Sequence, residues 1–188
     1  MPQITAPQIF DRTLLKTTAK RWQNDFSNYD FLYDIAVERL LDRLDDLTIT
    51  FENILILGAK KTEVITSRLP NAITASFYDS AADIIMDEEF LPFSAQSFDL
   101  IIAPPGLHQV NDLPGALAQL HRCLKPNGFF LCALYGGETL FELRDSLTQA
   151  EMNLTGGLSP RIYPFVDKQQ AGALLQRAGF ALLSLIHI

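Results

Sequence analysis

The stretch Asp87–Leu134 constrains the fold of this chain more than any other. It holds two short apolar runs, Phe98–Ala103 and Phe129–Leu134, on either side of a segment with helical spacing. The first run is rich in branched residues and ends at Pro104-Pro105-Gly106, which stops a strand and opens a loop. Asn111 or Asp112 can cap the following helix, and Pro114 is tolerated in its first turn. Leu113, Leu117, Leu120 and Leu124 then recur on one face. Lys125-Pro126-Asn127-Gly128 predicts a turn, and Phe129 begins a second strand. Strand, crossover helix and strand make a parallel βαβ unit. Runs apolar on both faces predict a sheet covered by helices on both sides.

The rest of the chain repeats the alternation. Asp30 to Leu47 predicts an amphipathic helix capped by Asp30, with Leu32, Ile35, Ala36, Leu40, Leu44 and Leu47 inward. Asn53–Leu57 reads as the first strand, closed by Gly58, and Thr62–Leu69 as a short helix stopped by Pro70. Ala72–Tyr78 and Ile84–Met86 are the second and third strands. After Tyr135-Gly136-Gly137 a helix is expected with Leu140, Leu143, Leu147 and Ala150 facing in. Residues 153–166 read as a long surface loop. Asp167 and Gln170 form a capping box for a last helix, which presents Ala171, Leu174, Leu175 and Ala178 and closes at Gly179. Phe180–Ile188 is expected to be the final strand. Residues 1–29 are read as an N-terminal helical segment and 30–188 as the main part of a single domain. The first segment carries Arg12, Lys16, Lys20 and Arg21 among Phe10, Leu14, Leu15 and Trp22. It is either an amphipathic helix lying over the domain or a lid that also meets an acidic partner.

Composition narrows the classes of function. The 188 residues are 48% hydrophobic and 20% charged, as in an ordinary globular domain with its own core. The formal net charge of −7 argues against a nucleic-acid backbone as the main partner. No apolar run is long enough to span a bilayer, and the first ten residues lack a secretory pattern, so a cytoplasmic setting is expected. Cys123 and Cys132 form no C-x-x-C and read as buried thiols. His108, His121 and His187 show no metal spacing.

The motifs D-E-E-x-L-P-F, F-D-L-I-I, N-D-L, L-K-P-N-G and F-x-L-C-A-L follow in that order between Asp87 and Leu134. Together with I-F-D-R at Ile9–Arg12, Y-G-G-E-T-L-F-E-L-R at Tyr135–Arg144 and G-G-L-S-P at Gly156–Pro160, they resemble the class I S-adenosylmethionine-dependent methyltransferases. The nearer resemblance is to the methyltransferase-fold assembly factors of respiratory complex I. Bacterial relatives of those factors are labelled as similar to the malonyl-carrier-protein methyltransferases of biotin synthesis. The resemblance implies a Rossmann-like, doubly wound, mostly parallel sheet in the order 3-2-1-4-5, with Phe180–Ile188 beyond the fifth strand. The family's final antiparallel strand has no counterpart in the sequence, so the sheet is expected to have an edge that is open or paired to a second copy.

Ligands of open α/β sheets bind outside the carboxyl ends of the strands, at the topological switch point. That rule gathers Gly58–Lys61, Asp79–Ser80, Asp87–Leu91 and Ala103–His108 around one cleft. Asp79 lies about 20 residues past Gly58, the distance at which a carboxylate receives ribose hydroxyls. The resemblance implies S-adenosylmethionine as cofactor, with Asp87 or Glu88 beside the adenine and Glu89 and Leu91 adding contacts. Gly58, Ala59, Ser80 and Ala103 complete the expected cofactor set, with no metal. His108 and Tyr135 are the candidates for acting on or shaping a substrate. The first loop departs from the family pattern D-L-G-C-G-R-G: Ile56 stands at the acidic position and Lys60 at the second glycine. Weak cofactor binding through the nucleoside half is therefore expected. Three functions follow from the resemblance. One is methyl transfer to a small-molecule or protein acceptor, and one is modification of an arginine on a complex I subunit. The third is a cofactor-free binding scaffold.

Overall fold

The structure, a computed structural model, describes residues 8–22, 25, 28–60 and 63–184. Five strands, β1 (Ile54–Leu57), β2 (Ile73–Ser76), β3 (Ile84–Ile85), β4 (Phe98–Ala103) and β5 (Leu124–Cys132), form one sheet in the order β3-β2-β1-β4-β5. Every pairing is parallel, as the continuous apolar runs and the family resemblance predict. Ile54, Leu55 and Ile56 of β1 lie opposite Leu100, Ile101 and Ile102 of β4.

Alternate residues of these strands feed two cores. Leu55, Leu57, Ile101 and Ala103 pack on one face with Ala116, Leu117, Leu120 and Cys123 of α4 (Leu113–Cys123). Leu174, Leu175 and Ala178, carried by α6 (Lys168–Arg177) and its C-cap, close over the same face. Ile54, Ile56, Leu100 and Ile102 pack on the other face against α2 (Phe31–Asp45) and Ile65 of α3 (Glu63–Arg68). Each fully buried Leu or Ile among them contributes about 1.5–3 kcal/mol by leaving water, so the two faces hold the central strands firmly.

Local signals act as the sequence suggests in several places. Asp112 caps α4 by accepting from the Gly115 N–H at 2.9 Å. Asp167 and Gln170 form a reciprocal capping box at the start of α6. Gly179 follows with φ 101°, a left-handed value suited to glycine.

Other expectations are corrected. The inward face of α2 is centred on Tyr33, Val37 and Leu41, with the expected Leu40 and Leu44 packed half-buried against the same core, whereas Leu32 and Ile35 are exposed. Helical periodicity alone leaves the rotation of a broad apolar stripe open, and packing against Ile54, Ile56 and Ile102 selects it. Asp30 occupies the N-cap position of α2 without a side-chain capping bond to the helix. The predicted turn at Lys125–Gly128 lies inside β5: Leu124 opposes Phe98 and Phe129 opposes Leu100, with the intervening residues out of register and Asn127 at φ 64°. α5 (Phe141–Thr155) forms but buries no residue, with Leu140 and Leu143 exposed. A periodic face creates a helix that can bury, but burial needs a layer beneath it. The final strand is not formed over residues 180–184, and residues 185–188 lie outside those described. Phe180 instead stacks on Phe130 with centroids 5.1 Å apart and meets His121 edge-on at 5.0 Å. Among the described residues the outer edge of β5 has no strand partner.

Candidate functional site

The carboxyl ends of β1, β2, β3 and β4 each deliver a short polar turn to one end of the sheet. Gly58 follows β1 at φ 73° and donates its N–H to the Ala75 carbonyl at 2.7 Å, binding the first turn to β2. A left-handed φ costs an L-residue free energy that glycine avoids. Lys60 donates its backbone N–H to the Tyr33 hydroxyl at 3.0 Å, and burial lowers its side-chain pKa. Lys61 lies outside the described residues. After β2, the Ser76 hydroxyl accepts from the N–H groups of Tyr78 and Asp79 at 3.2 and 3.1 Å, folding the chain sharply. Asp79 is thereby buried, its Oδ1 accepting from the Ala81 N–H at 2.8 Å, while Ser80 is exposed.

The acidic turn after β3 separates its residues by role. Glu89 Oε1 accepts from the Asn111 N–H at 2.5 Å, and Gln119 of α4 bonds both the Glu89 carbonyl and the Leu91 N–H. Leu91 lies in the core, so Glu89 and Leu91 tie the turn to α4. Asp87 and Glu88 turn toward the N-terminal segment. Arg12, the first residue of α1 (Arg12–Trp22), reaches both: Nη2 lies 2.8 Å from Asp87 Oδ1 and 2.5 Å from Glu88 Oε2. Glu88 is buried, and burial raises its pKa against the opposing pull of Arg12. The Arg12 guanidinium also lies 4.3 Å over the Phe77 ring and donates to the Gln109 carbonyl at 3.2 Å. Burial alone would lower the Arg12 pKa; Glu88 and Asp87 outweigh it and raise the value.

Beside this corner stands an aromatic wall. His108 sits in a 3₁₀ turn (Leu107–Gln109) after β4, and Ala103 at the strand end is fully buried. The His108 ring lies 4.9 Å from that of Tyr135 and 5.8 Å from that of Phe165. Its Nδ1 is buried with no hydrogen-bond partner among the described residues. Burial, aided by the positive charge of Lys60, lowers the His108 pKa to about 4, so the imidazole is neutral near pH 7. Burial raises the pKa of Tyr135. The structure thus brings the two substrate-side candidates, from different strands, into ring contact. Phe165 comes from the loop after α5 and closes the wall from a third direction.

Sequence reasoning left Arg12, Phe77, Tyr78 and Gln109 outside the site. Arg12 stood in the basic N-terminal cluster and in I-F-D-R, a signal sufficient to mark it but not to point it at Asp87 and Glu88. Tyr78 and Gln109 meet only in three dimensions: Tyr78 Oη lies 3.2 Å from Gln109 Oε1. Among the described residues no group of three or more His, Cys, Asp or Glu could hold a metal ion. None of the helices among the described residues is long and apolar enough to cross a membrane.

Comparison with known proteins decides the family. Residues 24–185 match the family model described as "Methyltransferase domain". The chain belongs to the methyltransferase-domain family. This methyltransferase domain is 38% identical over 196 residues to the mitochondrial arginine-hydroxylase NDUFAF5 of Danio rerio, covering 94% of this chain and 60% of that protein. It is 39% identical over 194 residues to the Homo sapiens counterpart, covering 94% of this chain and 56% of that one. The chain therefore spans less than two thirds of the length of these relatives. Among solved structures, a SAM-dependent methyltransferase from Thermotoga maritima aligns with TM-score 0.62 at 18% identity, covering 87% of this chain and 80% of the other. A Haemonchus contortus phosphoethanolamine N-methyltransferase 2, solved with S-adenosyl-L-methionine, aligns with TM-score 0.54 at 16% identity over 76% of this chain and 36% of that one. These two likenesses establish the class I Rossmann-like fold.

Proposed function

We propose that this methyltransferase domain binds S-adenosylmethionine through its nucleoside half and presents an acceptor group beside the His108–Tyr135–Phe165 wall. The observation that carries the reading is the convergence of Gly58, Asp79 and the Asp87–Glu88 turn at the carboxyl end of one parallel sheet. The residues fit the nucleoside half. A glycine with a left-handed φ leaves the first turn bare of Cβ, and a buried carboxylate follows β2 where ribose hydroxyls are received. They give less to the methionine half, because Ile56 is fully buried in the core facing α2 and Lys60 replaces a glycine.

When bound, the cofactor supplies an electrophilic methyl carbon. The chain's own residues supply position and exclusion of water. A neutral His108 with a pKa of about 4 is a weak base, so its Nδ1 orients an acceptor by taking a hydrogen bond rather than by removing a proton. Tyr135 and Phe165 wall off that position.

The substrate class we favour, whichever group is added to it, is a protein side chain. Relatives at 38–39% identity bear the name arginine-hydroxylase, and a net charge of −7 suits a basic partner surface. A subunit of complex I that presents an arginine is the specific form of this reading. Calorimetric titration of the chain with S-adenosylmethionine, beside Asp79→Asn, tests the cofactor part. Weak binding by the chain and at least tenfold weaker binding by the variant are expected. Absence of binding at millimolar ligand would overturn the enzyme reading in favour of a scaffold. Co-precipitation with complex I subunits tests the partner, and failure to retain any of them would remove it.

A further inference from the structure

Arg12 holds Asp87 and Glu88, the two carboxylates expected beside the adenine. Besides its bonds to Asp87 and Glu88, it lies 3.4 Å from the Tyr78 hydroxyl and stacks on Phe77. We propose that Arg12 is a plug in cis: α1 and the nucleoside compete for Asp87 and Glu88, and the cofactor enters as Arg12 withdraws. This rests on the nucleoside reading of the site given above.

Three features carry the inference. The first is the strength of the competing bonds. A guanidinium–carboxylate bond is charge-assisted and roughly twice as strong as a neutral one. The exocyclic amine of an adenine is a neutral donor and cannot share these carboxylates on equal terms. The second is space. A Cβ built on Gly58 would lie 3.3 Å from Glu88 Oε1, while Glu88 Oε2 is held by Arg12. The arginine thereby keeps the Glu88 carboxylate over the backbone on which a nucleoside would rest.

The third is the ease of release. Among the described side chains of α1 none is fully buried, and two of its contacts with the domain are Arg12 in this corner and Lys16 over Phe77 at 4.9 Å. Arg12 Nε is buried without a partner among the described residues, which leave that side of the seat unsatisfied. The preceding residues have their own anchor. The N–H groups of Ile9 and Phe10 both donate to Asn111 Oδ1 at 2.7 Å, and the Phe10 ring meets Tyr163 edge-on at 5.1 Å. α1 can swing out while Phe10 stays in place.

The opposite arrangement, a lid that closes over a bound cofactor, predicts the reverse sign in each measurement. S-adenosylhomocysteine is titrated into the chain and into Arg12→Met, which keeps the aliphatic stem and removes the charge. At least tenfold tighter binding by the variant is expected. Equal or weaker binding by the variant overturns the plug and leaves the cofactor reading standing. Absence of binding by both proteins overturns the cofactor reading, and the plug with it. Hydrogen exchange on the unaltered chain gives a second readout that needs no variant. Added S-adenosylhomocysteine should speed exchange at residues 12–22, and slower exchange there would overturn the plug.

Discussion

Glu88 Oε1 lies over the backbone of Gly58, 3.3 Å from where a Cβ would stand, so the first and third turns of the cleft are fitted to each other across the sheet. Gly58 also has φ 73°. Gly58→Ala should therefore cost roughly 1–2 kcal/mol from the left-handed backbone alone, with a further cost as Glu88 is displaced. Urea denaturation reads the loss. An unchanged midpoint would show that the turn relaxes freely.

Ile56 offers a sharper case. The family pattern has an acidic residue there, yet Ile56 is fully buried among Tyr33, Val37, Leu41 and Ile65. Ile56→Asp would place a carboxylate in that core and should cost about 4 kcal/mol or more. Loss of the cooperative thermal transition is the expected result. A folded variant of ordinary stability would mean that this strand end opens to the cleft.

The stability of the fold should fall in mild acid through His108. Its pKa drops from 6.5 to about 4 on folding, chiefly by burial. The unfolded chain then binds the extra proton between those values, so the native state is favoured above pH 6.5 and loses that advantage as pH falls toward 4. Between pH 7 and pH 5 the loss from this group is about 2 kcal/mol. His108→Leu should remove that part of the dependence. The difference in urea midpoints between chain and variant at the two pH values isolates it from the carboxylates. Parallel pH dependence in the two proteins would refute it.

Asp99 ties three strands at the opposite end of the sheet. Its carboxylate accepts from the Asn53 N–H at 3.0 and 3.1 Å, from Asn53 Nδ2 at 3.2 Å and from Lys125 Nζ at 3.3 Å. Although burial acts to raise its pKa, the bonds from Asn53 and Lys125 bring it below the ordinary value. This contribution is present above pH 3.8 and is lost as pH falls through the lower, folded value. Asp99→Ala should cost about 1–3 kcal/mol, read by chemical denaturation. The variant should keep its cofactor affinity, because the site lies at the far ends of the strands.

The central layer was legible in the sequence because its signals are local and redundant. Ile54–Leu57 and Phe98–Ala103 are apolar on both faces, as in a parallel sheet covered by helices on both sides. Asp112, Asp167 and Gln170 announce helix starts within four residues of where they act. Gly58, Asp79 and the acidic turn were placed by the topology of such sheets. The separate roles of Glu88 and Glu89 were not legible: adjacent in sequence, one meets Arg12 and the other Asn111.

What the sequence by itself determined is the order of the elements from α2 to α6, the parallel sheet and the end of it where the candidate turns gather, because periodicity, caps and turn residues act over a few residues. Tertiary structure decided the rest. It chose Tyr33, Val37 and Leu41 as the buried face of α2, and among the described residues it set no layer over α5. It also put Arg12 on Asp87 and Glu88, some 75 residues away in the chain. Those outcomes depend on which surface lies opposite, and an opposing surface exists only once the chain has folded.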